Sequence, residues 1–117
     1  MGWPGIKKGT NVKIGIDWDG VIVERKGIPT EPADKAWMDT PIEGARETIS
    51  LLTANGVDCY VLTNRPRGDW KRIKQWLEFW KFPSLRITNT KEDKTTIYLD
   101  DRAVRFTSWQ DFRKLII

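Results

Sequence analysis

The chain has 117 residues and no histidine. Ser-His-Asp and Cys-His nucleophilic catalysis are therefore excluded, as are zinc sites that use imidazole. Any acid–base work must fall to carboxylate, lysine, tyrosine or the single cysteine. That residue, Cys59, lies inside the run Asp58-Cys59-Tyr60-Val61-Leu62. A lone cysteine closes no disulfide within the chain, which fits a reducing compartment and a buried, inert thiol. No apolar run approaches the ~20 residues of a membrane span, and no signal-peptide segment follows the first residues. The opening Met1-Gly2-Trp3-Pro4-Gly5-Ile6 is like a myristoylation site but has Ile6 where Ser or Thr is required. Together these absences predict a cytoplasmic protein with no membrane association. Internal repeats and low-complexity tracts are also absent.

What is present suits one compact domain and is too short for two. Seven tryptophans and a hydrophobic fraction of 39% supply a core. The net charge of +4 leans weakly toward anionic ligands. Lys and Arg are spread along the chain and read as solvated faces, so a nucleic-acid partner is possible but not demanded.

Residues 1–11, with Gly2, Gly5, Gly9 and Pro4, read as a flexible N-terminal arm, and 12–117 as a single domain. A first strand is expected over 12–17. Val21-Ile22-Val23 is a candidate start for a small hairpin. Thr40-Pro41-Ile42-Glu43 reads as a helix start, with Thr40 as N-cap and Glu43 closing a capping box. Ile42, Ala45, Ile49 and Leu52 continue at helical spacing, and Gly56 supplies the stop. A second strand is expected over 58–63. A second helix is expected from Asp69 to Lys81, with Trp70, Ile73, Trp76, Leu77 and Trp80 on one apolar face that packs into the core. Leu85-Arg86-Ile87 and Ile97-Tyr98-Leu99 are two further short strands, and Ser108 is placed to cap a last helix. This order implies an α/β domain with a mostly parallel sheet, in which ligands bind beyond the carboxyl ends of the strands.

Three strands end on polar residues, and right-handed crossovers put those ends on one edge. The first gives Asp17 and Asp19, the second Thr63 and Asn64, the last Asp100 and Asp101. Ionised carboxylates avoid such a place unless they are paired or bind a metal. Oxygen-only ligands favour Mg²⁺ over zinc. A hydroxyl such as Thr63 and a nearby lysine add a pocket for a phosphoryl group. One carboxylate could then attack phosphorus, and a second could move a proton.

Four segments carry a family resemblance: Asp17-Trp18-Asp19-Gly20-Val21, then Leu62-Thr63-Asn64-Arg65, then a lysine, then Tyr98-Leu99-Asp100-Asp101-Arg102-Ala103. In this order the chain resembles the haloacid dehalogenase superfamily of phosphohydrolases over residues 12–117, and most of all its small members with an Asp-Asp-Arg-Ala motif. The resemblance implies a three-layer, Rossmann-like fold with a mostly parallel sheet. It implies Asp17 as the nucleophile that forms an aspartyl-phosphate and Asp19 as the general acid/base, its backbone carbonyl touching Mg²⁺. Thr63 would hold the phosphoryl group, with Asn64 and Arg65 near phosphate or shaping the turn. Asp100 would ligate Mg²⁺, and Asp101 would be a direct or outer partner. Two lysines are candidates for the phosphate. Lys91 has the family's spacing and Lys94 lies nearer the last strand. Glu92-Asp93 follow Lys91, where such chains often carry prolines.

Members of this superfamily usually take specificity from a cap domain. About twenty residues separate Val21 from Thr40, and very few separate Leu85 from Lys91, so neither interval holds a folded cap. The expectation is an open-sited, Mg²⁺-dependent phosphomonoesterase. Its substrate is a small or macromolecular phosphate ester, and a homo-oligomer could cover the site. The alternative is a non-catalytic phosphate- or nucleic-acid-binding module of the same fold. A phospho-accepting receiver domain fits less well, because receivers open on paired acids and carry a lone acceptor later.

Overall fold

The structure is a computed structural model that describes residues 11–24, 40–100, 108–110 and 113. The expected arm at 1–11 and the residues 25–39 therefore lie almost wholly outside the described residues, as does Asp101. Strands β1 (Lys13–Asp17), β2 (Asp58–Leu62), β3 (Arg86–Thr88) and β4 (Ile97–Leu99) alternate with helices α1 (Ala45–Ala54) and α2 (Trp70–Phe79). A 3-10 turn over Arg67–Asp69 leads into α2. The strand order is β3-β2-β1-β4, and every pairing is parallel. The result is a small α/β domain with an all-parallel sheet, consistent with a Rossmann-like arrangement. No helix among the described residues is long and apolar enough to cross a membrane.

Strand alternation sorts the sheet into two unlike faces. One carries Ile14, Ile16, Cys59 and Val61, which join Ile49 and Leu52 of α1 and Ile73, Trp76 and Leu77 of α2 in one core cluster. Trp18 completes it, meeting Trp76 edge to face at 4.9 Å. The tryptophans of α2 thus serve packing, as their spacing predicts. Burial pushes the Cys59 thiol up to about 11, the inert state expected of it.

The opposite face is built differently. Gly15 pairs with Tyr60 on one side and Tyr98 on the other. A Cβ at residue 15 would stand 2.6 Å from Tyr60 Oη and 3.1 Å from Tyr98 Cδ1. The two rings therefore close over a strand whose middle residue has no side chain. Across this face runs the connection 89–96 from β3 to β4, with no helix in it. Its Thr95 and Glu92 both bond to Tyr60. A second helical layer would fall after residue 100. There only Ser108 and the helical residues Trp109, Gln110 and Arg113 are described.

One local expectation changes. Helix α1 begins at Ala45, behind Gly44 at φ 87, with no side-chain cap. The capping box at Thr40–Glu43 does not form, because tertiary pairing takes that segment. Glu24 N donates to Thr40 O at 2.9 Å and Ile42 N to Ile22 O at 2.9 Å, while Val23 bridges Pro41 in antiparallel fashion. Val21-Ile22-Val23 forms a turn and enters an antiparallel bridge to Pro41, and the residues 25–39 between the two, over which the expected hairpin would run, lie outside the described residues. The far end of α1 is as expected. Gly56 at φ 84 donates to Thr53 O, and Val57 N donates to Leu52 O at 3.0 Å, the paired bonds of a Schellman stop.

Candidate functional site

Parallel pairing brings the carboxyl ends of β1, β2, β3 and β4 to one edge. β1 continues past Asp17 into a tight turn. Gly20, at φ 83, takes the left-handed conformation the turn needs. Ile22 N and Val23 N both donate to Trp18 O at 3.2 Å, and Gly20 N donates to Val23 O at 3.0 Å. Trp18, 1% exposed, is the anchor that plugs this turn into the core. Its amide donates to Asp17 Oδ1 at 2.9 Å, which fixes the carboxylate at the strand end.

Thr63, directly after β2, is 2% exposed. Its amide donates to Thr88 O at 2.9 Å, and its Oγ1 accepts from Arg65 N at 3.1 Å. The hydroxyl thus shapes the turn and stays at the sheet edge. Trp70 Nε1 donates to Arg65 O at 3.1 Å, which ties the same turn to the start of α2.

A pocket of about 480 Å³ opens at this edge. Its polar lining is Asp17, Thr63, Asn64, Asn89, Lys91 and Asp100, over a floor that includes Gly15 and Tyr98. Lys91 Nζ stands 5.2 Å from the Tyr98 ring centroid, an aromatic seat for the cation. Five of the expected site residues are therefore brought together: Asp17, Thr63, Asn64, Lys91 and Asp100. Only two residues, Asn89 and Thr90, separate β3 from Lys91, so no inserted domain intervenes there.

Asp19 and Lys94 do not line the pocket. Strand alternation would point Asp19 the same way as Asp17, but the strand ends at Asp17 and the turn redirects the chain. Asp19 instead takes a two-point ion pair with Arg65, Nη2 to Oδ1 at 2.9 Å and Nε to Oδ2 at 3.3 Å. Side chains at this pair are 21% and 31% exposed, so solvent screens it to roughly 1 kcal/mol at most. Lysine cannot reproduce the fork geometry. Arg65→Lys is expected to lose about 0.5–1 kcal/mol in urea unfolding, with the difference from wild type shrinking as salt rises. Lys94 sits in the left-handed region at φ 61 and is exposed.

Among the described residues no group of three His, Cys, Asp or Glu side chains is close enough to hold a metal ion. Mg²⁺ asks for less. It takes one or two carboxylates and completes its shell with water and substrate oxygens. Asp17 and Asp100, at the ends of adjacent strands and both lining the pocket, could supply an oxygen donor set of that kind. Asp100 directly precedes Asp101.

Tyr60, Gly15 and Asn89 escaped the reading of the sequence. A glycine inside a buried strand marks a close approach, and that signal was available at Gly15. Nothing local identifies Tyr60 or Asn89. Comparisons with protein-family models, curated proteins and solved structures find no match.

Proposed function

We propose that the chain is a Mg²⁺-dependent phosphomonoesterase of the haloacid dehalogenase type, working through a phosphoryl group carried on Asp17. The supporting observation is the convergence of Asp17, Thr63, Lys91 and Asp100 on one pocket. A pocket with two acids and one lysine is a poor site for a neutral ligand. A hydroxyl donor and a cation facing two carboxylates suit a phosphoryl group and a divalent ion.

In the proposed reaction Asp19, released from Arg65 and protonated from solvent, gives its proton to the departing oxygen as an Asp17 oxygen bonds to phosphorus and the ester P–O bond breaks. Asp19 then takes a proton from water, whose oxygen bonds to phosphorus as the Asp17 linkage breaks. Inorganic phosphate leaves and Asp17 is regenerated. Thr63 Oγ1 and Lys91 Nζ hold the non-reacting phosphoryl oxygens. Trp18 N keeps the Asp17 carboxylate oriented. Bound Mg²⁺, held by Asp17 and Asp100, would supply the positive charge that lets a dianion approach the carboxylates. Asp19 is paired with Arg65, so its turn at proton transfer requires that pair to open.

That pairing is also the observation that favours the second reading, a phosphate- or nucleic-acid-binding module without turnover. The test is a panel of phosphorylated metabolites, nucleotides and 3′- or 5′-phosphorylated oligonucleotides. The proposal expects phosphate release in Mg²⁺, a loss of at least about a hundredfold on chelation, and recovery when Mg²⁺ is returned. Salt-sensitive binding with no phosphate release would support the second reading.

A further inference from the structure

We propose that Tyr60 and Thr95 form a hydroxyl clip that sets the β3–β4 connection so that Lys91, and not Lys94, faces the phosphoryl pocket. Tyr60 is then a positioning residue for Lys91. The inference rests on the pocket reading above, and the clip itself can be tested without any turnover.

Tyr60 is fully buried and Thr95 nearly so. Tyr60 Oη and Thr95 Oγ1 are 2.9 Å apart. Thr95 Oγ1 donates to Glu92 O at 2.6 Å, and Glu92 N donates to Tyr60 Oη at 3.1 Å. A hydroxyl has one proton to give. Thr95 gives its proton to the Glu92 carbonyl, so Tyr60 must donate to Thr95 and accept from the Glu92 amide. The ring of three bonds closes with one arrangement of protons. Phenylalanine at 60 could make neither bond and would leave the Glu92 amide without this partner.

The clip is reinforced on both sides. The Glu92 carboxylate accepts from Arg86 Nε at 2.8 Å and pairs with Lys13 Nζ at 3.4 Å. Arg86 in turn stands 5.1 Å from the Tyr60 ring centroid and bonds Asp58. Lys13 Nζ donates to Asp93 O at 3.0 Å, and Thr96 N donates to Lys13 O at 2.7 Å. Residues 92, 93, 95 and 96 are thus all tied to β1, β2 or β3. Lys91 is the last residue before the tied stretch and projects to the pocket and the Tyr98 ring. Lys94 falls inside it, in a left-handed turn at φ 61. The lysine that reaches the pocket is decided by where the clip closes.

The readout is the Lys91 side chain by NMR, its ε-CH₂ signal being displaced upfield by the Tyr98 ring and assigned by its disappearance in Lys91→Met. In Tyr60→Phe this displacement is expected to collapse toward the unstructured value. Affinity for inorganic phosphate with Mg²⁺ is expected to fall roughly tenfold, and Tyr60→Phe is expected to add nothing further in a Lys91→Met background. Thr95→Val should act like Tyr60→Phe, while Thr95→Ser, which keeps the hydroxyl, should restore the Lys91 signal. This threonine pair decides the matter alone if Tyr60→Phe does not fold. An unchanged Lys91 signal in Tyr60→Phe or Thr95→Val overturns the clip, as does an independent, additive loss of phosphate affinity. Wild-type protein that ignores inorganic phosphate would count against the pocket reading, while the Lys91 signal would still decide the clip.

Discussion

Asp17→Asn is expected to lower phosphate release by at least about a thousandfold without lowering the melting temperature. The asparagine amide is not a nucleophile, so no covalent intermediate can form. Its Oδ1 can still accept the Trp18 amide bond that Asp17 accepts at 2.9 Å, so the turn after β1 keeps its anchor. Asp17 and Asp100 share a pocket, and two like charges there repel. Removing one should hold or raise the melting temperature by a few degrees in metal-free, low-salt buffer. Wild type should also gain stability from Mg²⁺ through preferential binding to the folded state, and the variant should gain less. Phosphate-release assays and paired melts with and without Mg²⁺ check all three expectations. Turnover within tenfold of wild type would remove Asp17 from the role of nucleophile.

Gly15→Ala is expected to be the most destabilising single-methyl change in the sheet. The new Cβ would stand 2.6 Å from Tyr60 Oη, 2.8 Å from Tyr60 Cζ and 3.1 Å from Tyr98 Cδ1. None of these is the loose end of a flexible chain. The ring of Tyr60 is fixed by the clip through Thr95 and Glu92, so relief requires either ring displacement or separation of β1 from its neighbours. Overpacking of this kind costs about 3 kcal/mol, roughly 10–15 °C in melting temperature for a chain of this size. Moving Tyr60 would also disturb Lys91, so phosphate affinity should fall together with stability. Combining Gly15→Ala with Tyr60→Leu removes the two nearest clashing atoms, and the double variant should cost less than the sum of the two singles. A melt of Gly15→Ala within a degree or two of wild type would contradict this packing account.

The parts of this architecture that are legible in sequence are those dictated by local pattern. The strand into Asp17, the strand into Thr63 and the face of α2 each follow from apolar periodicity broken by a polar residue. Their parallel order then forces Asp17, Thr63 and Asp100 to one edge. The errors come where distant partners override a local signal. Thr40-Pro41-Ile42-Glu43 has every mark of a helix start, yet Glu24 and Ile22 claim its backbone and delay α1 to Ala45. Arg65 and Asp19 are far apart in the chain, and nothing near either residue announces their pairing. Spacing favours Lys91 over Lys94 but does not decide between them. The choice depends on the hydroxyl of Tyr60, a residue whose apolar neighbours Cys59, Val61 and Leu62 give it the look of ordinary strand filling.

The most direct test is where a phosphoryl group resides during turnover. Protein mixed with a reactive phosphate monoester and Mg²⁺, quenched in acid and digested, should carry a phosphorylated peptide containing residues 13–19, with the modification on Asp17. Asp17→Asn should carry none. Release of phosphate by wild type with no such adduct, or an adduct on Asp100 or Asp19 in place of Asp17, would contradict the account.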